Sequence, residues 1–335
     1  MPVGILKNYL PYEEQHGKLA KSCGRYRYKV YGLHIASDIL LPELLSEVDT
    51  SGAPEVSISI GTVPAGITDA VEKTGSYQVS ENHFILSVPG VGRYYVTNGN
   101  CIVVDPAKQA KEDSVRLYLL GTAFGSLLMQ RGILPIHGSA VVIRGYCVIF
   151  TGVSGAGKST LLAAFRERGY SFLTDDVSAV TVDVDGTAWV HSAYPQQKMW
   201  RDTAGTMGVD TTSLTPLYRG NNNDKFAVAV HKGFCQSPAP LVAVYEIEAE
   251  KCRDVTLRPL SGVDKLAVLL SHTYRPWLID GLGLKAMHFK QCVAVAGHVA
   301  VSRLTRPEGV FSVEEQVRLV QHDLARLFAG RMIGY

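Results

Sequence analysis

The sequence of 335 residues lacks any long, uninterrupted apolar run. A helix that spans a bilayer needs about 20 predominantly apolar residues, and no stretch of this chain provides them. The first residues, MPVGILKNYLPYEEQHGKL, carry charges and a proline where a secretory signal peptide has its apolar core. We therefore expect a cytoplasmic protein without a membrane partner.

Net charge is also nearly absent, because Lys and Arg together number 33 and Asp and Glu together number 31. A general polyanion binder carries an excess of positive charge, so we expect no nucleic acid as partner. The hydrophobic fraction of 46% and the charged fraction of 19% are typical of a compact globular protein rather than a disordered one.

Paired cysteines and zinc motifs are missing as well. The six cysteines lie far apart, without a CxxC pair: Cys23, Cys101, Cys147, Cys235, Cys252 and Cys292. This spacing favours free thiols in a reducing compartment over a disulfide framework. The motifs HxxxH and HExxH do not occur, so we predict no zinc site.

The chain divides into two regions by its hydrophobic pattern. Up to about residue 110, short stretches such as 25–31, 55–60 and 83–88 alternate in polarity and end at Gly, Pro or Asn, which is typical of strands. No residue in this region suggests chemistry. Residues 114–130 are apolar around most of a helical circumference, which indicates a buried helix. We predict a mostly-β domain at 1–110 and a mixed α/β (α+β) domain at 111–335.

Residues 152–159 read Gly-Val-Ser-Gly-Ala-Gly-Lys-Ser, the phosphate-loop (Walker A) pattern G-x-x-x-x-G-K-S. A β run precedes the loop and a helical pattern follows it, which is the context this motif requires. Backbone N–H groups of such a loop cradle phosphates, its lysine reaches the β- and γ-phosphates, and its serine ligates magnesium. The residues predicted to bind ATP are Gly152, Val153, Ser154, Gly155, Ala156, Gly157, Lys158, Ser159 and Thr160.

Two adjacent carboxylates, Asp175 and Asp176, follow the short strand pattern at 170–174. Near a phosphate loop, one carboxylate can hold magnesium and the other can accept the proton of an attacking hydroxyl. Two solvated turn aspartates are the alternative.

His137, just ahead of a hairpin pattern at 140–150, either contacts the γ-phosphate or has its hydrogen bonds satisfied by the backbone in a turn.

Three features together resemble the catalytic domain of HPr kinase/phosphorylase, a P-loop fold related to phosphoenolpyruvate carboxykinase. They are His137-Gly138, the hairpin that enters the loop, and Leu-Thr-Asp-Asp-Val at 173–177. The resemblance implies ATP and Mg²⁺ as cofactors. It makes Asp175 the proton acceptor, places Asp176 in the metal site with Ser159, and puts His137 beside the transferred phosphate. Residues 193–202 lack the E-x-R-G-x-G-type signature, so phosphorylase activity and a hexamer are not supported, while a homo-oligomer stays open.

The chain is most similar to the HPr-kinase-like lasso-peptide precursor kinases, which phosphorylate the C-terminal serine of a precursor peptide. The resemblance rests on residues 27–44, on Y-P-x-x-x-x-W at 194–200 and on V-x-V-x-R-L-x-R-P at 299–307. It implies an ATP-dependent phosphotransferase whose acceptor is a serine hydroxyl of a ribosomally made peptide precursor. The alternatives are an HPr kinase/phosphorylase, a small-molecule kinase, and a regulatory module that binds nucleotide without chemistry.

An aromatic and basic cluster suggests where a peptide binds: Tyr194, Lys198, Trp200 and Arg201. A strand that merely packs its aromatic side chains would show the same composition. Lys225 follows a polar loop and could close over the phosphates as a mobile cation, or it could be an exposed loop lysine.

Overall fold

The computed structural model describes residues 25–48 and 52–332, with gaps at 207, 209, 213, 215 and 220–223. Three features of the sequence therefore lie wholly or largely outside the described residues. They are the N-terminal segment that we interpreted as not being a signal peptide, Cys23, and the polar loop before Lys225. The expected mixed α/β class is confirmed: two eight-stranded sheets and one three-stranded sheet combine with helices. No helix among the described residues has the length and apolarity to cross a membrane.

The first sheet is built by β1 to β8 in the order β1-β2-β3-β8-β7-β6-β5-β4. Its strands are β1 Tyr26–Val30, β2 Leu33–Ser37, β3 Val56–Ile60, β4 Glu72–Lys73, β5 Tyr77–Ser80, β6 His83–Val88, β7 Gly92–Thr97 and β8 Cys101–Pro106. Strand β3 runs parallel to both β2 and β8, whereas the other pairs are antiparallel. Alternate side chains such as Tyr94 and Val96 are buried, as period-two polarity requires.

A helical segment follows the first sheet at the place where the sequence predicts one. It consists of α1 Glu112–Tyr118, a π-helical turn at Leu119–Ala123, and α2 Phe124–Gln130. This segment shares one buried apolar cluster with the first sheet and with residues of the second sheet such as Val177 and Ala179. The two sheets are therefore joined by a common core, and the domain division at residue 110 stays a prediction.

Eleven strands lie in the described part of the chain after α2: β9 Leu134–Ile143, β10 Tyr146–Thr151, β11 Ser171–Thr174, β12 Val177–Val182, β13 Ala188–His191, β14 Gln196–Trp200, β15 Pro216–Arg219, β16 Asp224–Ala229, β17 Ala239–Glu250, β18 Thr256–Pro259 and β19 Ala300–Pro307. The second sheet has the order β10-β9-β12-β13-β17-β19-β18, with β11 paired to β9. Strand β17 pairs in parallel with both β10 and β19, whereas the other pairs of this sheet are antiparallel. Strands β14, β16 and β15 form the small sheet.

Six helices follow α2 in the described residues: α3 Lys158–Glu167, α4 Arg201–Thr206, α5 Gly262–Ser271, α6 Leu278–Gly281, α7 Lys285–His298 and α8 Val313–Met332. Helices α3 and α8 pack on one face of the second sheet, and α5 and α7 pack on the other. Val148 and Phe150 of β10 join the apolar cluster of α3 and α8, whereas Cys147 and Ile149 join that of α5 and α7. Because β10 is buried on both faces, it reads as a continuous apolar run rather than an alternating one.

Strand β9 is longer than the sequence pattern indicates, and this places His137 within a strand instead of a turn ahead of the hairpin. The first half of β9 pairs with β12 and the second half with β10 and β11. Gly138 allows the close packing, because a Cβ there would lie 2.7 Å from the carbonyl oxygen of Phe150. The extra strand length comes from pairing with β12, which the local pattern does not reveal.

Gly281 of α6 provides a test of the contact between the two halves of the chain. A Cβ at this position would lie 2.2 Å from Cγ1 of Val79, a fully buried residue of β5. We expect Gly281→Ala to lower the free energy of unfolding by about 1–3 kcal/mol through overpacking, measured by chemical denaturation.

Gly297→Ala is the matched control, because this helical glycine of α7 has no atom within 4 Å of the added Cβ. There the free energy of unfolding should rise by about 0.5–1 kcal/mol, since alanine is the better helix former. Equal effects of the two substitutions would contradict the described packing of α6 on β5.

Candidate phosphate-binding site

The loop between β10 and α3 has the backbone that a phosphate loop needs. Its glycines Gly152, Gly155 and Gly157 have φ values of 140°, 84° and 114°, a region that other residues rarely adopt. A Cβ at Gly152 would also lie 2.5 Å from the carbonyl oxygen of Ile247 on β17. The glycine pattern is thus explained by backbone conformation and by close approach to the neighbouring strand.

Lys158, the first residue of α3, folds back over its own loop. Its Nζ donates to the carbonyl oxygens of Gly152 at 2.8 Å and Val153 at 3.0 Å. Burial lowers the pKa of Lys158 to about 8, although the nearby Asp176 charge acts in the opposite direction. The ammonium is held where an anion bound in the loop could replace the two carbonyls as its partner.

The carboxylate of Asp175, only 5% exposed, is surrounded by three donors. The Ser139 hydroxyl donates to Oδ1 at 2.9 Å, and the Ser159 hydroxyl donates to Oδ2 at 3.1 Å. The backbone N–H of Lys198 also donates to Oδ2, at 2.6 Å. Burial raises the pKa of Asp175 to about 6, although these hydrogen bonds favour the charged form.

Asp176 lies in a different electrostatic setting from its neighbour. Its Oδ2 accepts a hydrogen bond from Lys198 Nζ at 2.7 Å, and its Oδ1 lies 3.7 Å from His137 Nδ1. Burial alone would raise the pKa of Asp176, but the surrounding groups, led by the Lys198 ammonium, together outweigh burial and hold that pKa well below its ordinary value. Burial lowers the pKa of His137 to about 4, so the imidazole is neutral at neutral pH.

These groups line an open cleft with about 540 Å³ free of protein atoms. Most of its lining was predicted from the sequence: His137, Ser154, Gly155, Gly157, Lys158, Ser159, Thr160, Asp175, Asp176, Lys198, Trp200 and Lys225. Met199 and Thr203 complete it and were not predicted. The structure thus brings the phosphate loop, the aspartate pair and part of the aromatic and basic cluster into one place.

Of the four residues in the predicted aromatic and basic cluster, two line the cleft and two do not. Lys198 and Trp200 are two residues apart on β14 and both line the cleft, with Lys225 Nζ 5.4 Å from the centre of the Trp200 ring. Tyr194 is 8% exposed in the buried apolar cluster. Arg201 lies outside the lining, paired with Asp224 at 2.7 Å.

The residues present fit a magnesium ion brought in with phosphate. Magnesium takes oxygen ligands, keeps several waters, and usually has one or two protein carboxylates. The hydroxyl of Ser159 and the carboxylate of Asp175 are such ligands and are in contact, and Asp176 is adjacent in the chain. Within the described ranges, no group of three or more His, Cys, Asp or Glu could hold a metal alone.

Two further residues of the site, outside the cleft lining, were missed in the sequence. Arg306 of β19 donates from Nε to the carbonyl oxygen of Ala156 at 2.8 Å and from Nη2 to that of Gly155 at 3.3 Å. Ser139 donates to Asp175, as described above. The only signal for Arg306 was its place in the C-terminal pattern at 299–307, and Ser139 had none beyond its nearness to His137.

No family model matches the sequence, and no curated protein matches it. A search of solved structures finds 96 matching chains. One of them is the HPr(Ser) kinase/phosphatase from Coxiella burnetii, at 11% identity and a TM-score of 0.33; the match covers 60% of this chain and 96% of that one. A TM-score this low establishes neither family membership nor function, so the function has to come from the site itself.

The contact of Arg306 with the loop predicts a role in shaping the phosphate cradle. We expect Arg306→Ala to weaken Mg²⁺-ATP binding on the order of tenfold, because a hydrogen bond to a charged group contributes about 1.5–3 kcal/mol. Isothermal calorimetry measures the dissociation constant. Arg306→Lys keeps the charge but lacks the paired guanidinium donors, so it should give an intermediate loss of Mg²⁺-ATP affinity.

Arg258 of β18, an exposed arginine on the strand paired with β19, provides the matched control. Its replacement by alanine should leave the dissociation constant unchanged. Wild-type affinity in Arg306→Ala would show that the arginine does not support the loop.

Proposed function

We propose that this protein is an ATP-dependent kinase that phosphorylates a serine hydroxyl at the C-terminus of a ribosomally made peptide precursor. The observation that carries the proposal is the aspartate pair beside the phosphate loop. Asp175 touches the loop's own Ser159, and the surroundings move the pKa values of Asp175 and Asp176 in opposite directions. Pairs of titratable groups whose surroundings separate their pKa values are typical of acid–base sites.

The nucleotide part of the proposal rests on the loop. Its backbone and the Lys158 ammonium offer positive electrostatic potential to the phosphates of ATP. Ser159 with one aspartate would hold Mg²⁺, which neutralises charge on the phosphate oxygens when bound. Phosphoryl transfer depends mainly on positioning and electrostatic stabilisation, and this cleft supplies fixed groups for both.

Asp175 is the first choice for the proton acceptor. With a pKa raised to about 6, it is largely ionised at neutral pH and still has a high affinity for a proton. In this assignment Asp176, held ionised by Lys198, joins Ser159 at the metal.

The contact between Ser159 and Asp175 favours the reverse assignment. Asp175 would then be the carboxylate at the metal, because its Oδ2 already lies 3.1 Å from the serine hydroxyl. Asp176, whose side chain is 21% exposed, would face the acceptor. The two assignments predict opposite outcomes for the two single variants.

A peptide acceptor is supported by residues of the cleft lining outside the phosphate loop. Trp200 and Lys225 present a large aromatic surface and an ammonium group to an open cleft, beside the Lys198 ammonium that is bonded to Asp176. Aromatic rings give contact area at low entropic cost, and Lys225 can meet the negative charge of a peptide terminus. The C-terminal serine of a peptide carries such a charge next to its hydroxyl.

Asn variants of the two aspartates test the function and the roles together. With labelled ATP and a serine-ended peptide, we expect Asp175→Asn to lower kcat by roughly a hundredfold to ten-thousandfold, because asparagine cannot accept the proton. Its Mg²⁺-ATP affinity, measured by calorimetry, should stay near that of the wild type. Asp176→Asn should weaken nucleotide binding and its magnesium dependence together.

Asp185→Asn in the exposed turn before β13 is the control and should change neither quantity. The reverse pattern, in which Asp175→Asn loses Mg²⁺-ATP binding and Asp176→Asn loses only transfer, would exchange the two roles. Wild-type transfer in both variants would contradict the kinase proposal.

A further inference from the structure

The turn between β1 and β2 has an unusual residue at its tip. Val30 pairs with Leu33, so Tyr31 and Gly32 form a two-residue turn, and their φ values are 55° and 77°. Two positive φ values characterise a type I′ turn, which favours Asn-Gly or Gly-Gly. A tyrosine in the left-handed region is disfavoured by its side chain, and such backbone outliers tend to cluster at functional sites.

This tip docks on the segment that connects β13 to β14. The Tyr31 N–H donates to the carbonyl oxygen of Ser192 at 2.7 Å. At Gly32, a Cβ would lie 2.8 Å from Nδ1 of His191. The turn therefore needs glycine at its second position for close approach as well as for its φ value, and the tip is seated against residues 191–192.

The Tyr31 side chain is buried in an apolar cluster that adjoins the cleft at His137. It is 2% exposed, and its ring centre lies 6.2 Å from that of Phe124. Tyr194 and Tyr274 belong to the same buried apolar cluster, and the Tyr274 ring centre lies 5.8 Å from that of His137. Burial raises the pKa of the Tyr31 phenol well above its ordinary value, and Asp176 and Lys198 are among the charges that act on it.

The docked segment leads directly to the residue that holds both aspartates. It is tied to β11 by the N–H of Ala193, which donates to the carbonyl oxygen of Leu173 at 2.9 Å. Four residues after Tyr194, Lys198 binds Asp175 through its backbone and Asp176 through its ammonium. A shift of the segment would move both contacts at once.

We propose that Tyr31 is a positioning residue for phosphoryl transfer, which holds the segment 191–198 so that Lys198 stays aligned with Asp175 and Asp176. The first sheet is then part of the active-site structure rather than a separate appendage. This inference rests on the proposed function, because alignment of the aspartates matters only if they take part in transfer.

Tyr31→Asn tests the role of the tyrosine ring without disturbing the turn. Asparagine suits the type I′ position, but it does not fill the space that the ring occupies in the buried cluster. We expect kcat for peptide phosphorylation to fall on the order of tenfold to a hundredfold, as for misplaced catalytic groups, with a smaller change in Mg²⁺-ATP affinity. Hydrogen exchange of peptides covering residues 192–200 should speed up. Tyr31→Phe keeps the ring, so its kcat should stay within about threefold of the wild-type value, because the packing of the ring and not its hydroxyl positions the segment.

Arg144→Asn is the matched control. Arg144 precedes Gly145 in the β9–β10 turn with a φ of 53°, so the substitution relieves the same backbone conformation away from the cleft lining. It should leave kcat and the exchange of 192–200 unchanged.

Unchanged kcat and unchanged exchange in Tyr31→Asn would overturn the proposal. Faster exchange spread evenly over β1 to β8, without a specific effect on 192–200, would also overturn it, since Tyr31 would then only stabilise its own sheet. If wild-type protein showed no transfer while 192–200 still responded to Tyr31→Asn, the proposed function would be wrong and the positioning of Lys198 by Tyr31 would be supported.

Discussion

The site depends above all on the hydrogen bonds that surround one buried carboxylate, that of Asp175. Its donors come from three separate elements: Ser139 from β9, Ser159 from α3 and the backbone of Lys198 from β14. A buried carboxylate is costly unless its oxygens find donors. The strand, the helix and the small sheet are therefore held in one relative arrangement, which leaves the cleft open between the loop and β14.

Two adjacent carboxylates acquire opposite properties in this arrangement. Asp175 has only uncharged donors, so burial dominates and its pKa rises to about 6. Asp176 has the Lys198 ammonium at 2.7 Å, which leads the surrounding groups that together outweigh burial and keep Asp176 ionised. Because Lys198 contacts both residues, the position of β14 determines the difference between them. The hairpin tip at Tyr31 becomes relevant for this reason, since it seats the segment that enters β14.

The parts of the site that the sequence predicts are the local ones. The φ values of Gly152, Gly155 and Gly157 are requirements of the loop's own backbone, so a short motif reveals them. The aspartate pair follows the loop's helix by one strand and was found from that nearness. The structure places these groups together in the cleft, while their catalytic roles stay a prediction.

The parts that the sequence does not predict depend on pairing between distant segments. Arg306 reaches the loop because β19 and β10 flank β17 in the second sheet. His137 lies within a strand because β9 extends to pair with β12. Tyr31 comes close to the cleft because it lies in a buried core shared by distant segments, which no local sequence pattern predicts. For the aromatic and basic cluster, composition alone was informative, but the pairing of β14 with β16 is what sets Trp200 opposite Lys225 at the cleft.

The separation of the two aspartates by their surroundings is the central claim, and a carboxyl titration followed by ¹³C NMR tests it most directly. Spectra of the nucleotide-free protein, with Asp175→Asn and Asp176→Asn for assignment, would follow each side-chain carboxyl with pH. The structure predicts that the carboxyl of Asp175 titrates at about 6, and that the carboxyl of Asp176 stays ionised well below the usual range of an aspartate. Titration of both carboxyls together at about 3.9, the value of a solvated aspartate, would contradict the account.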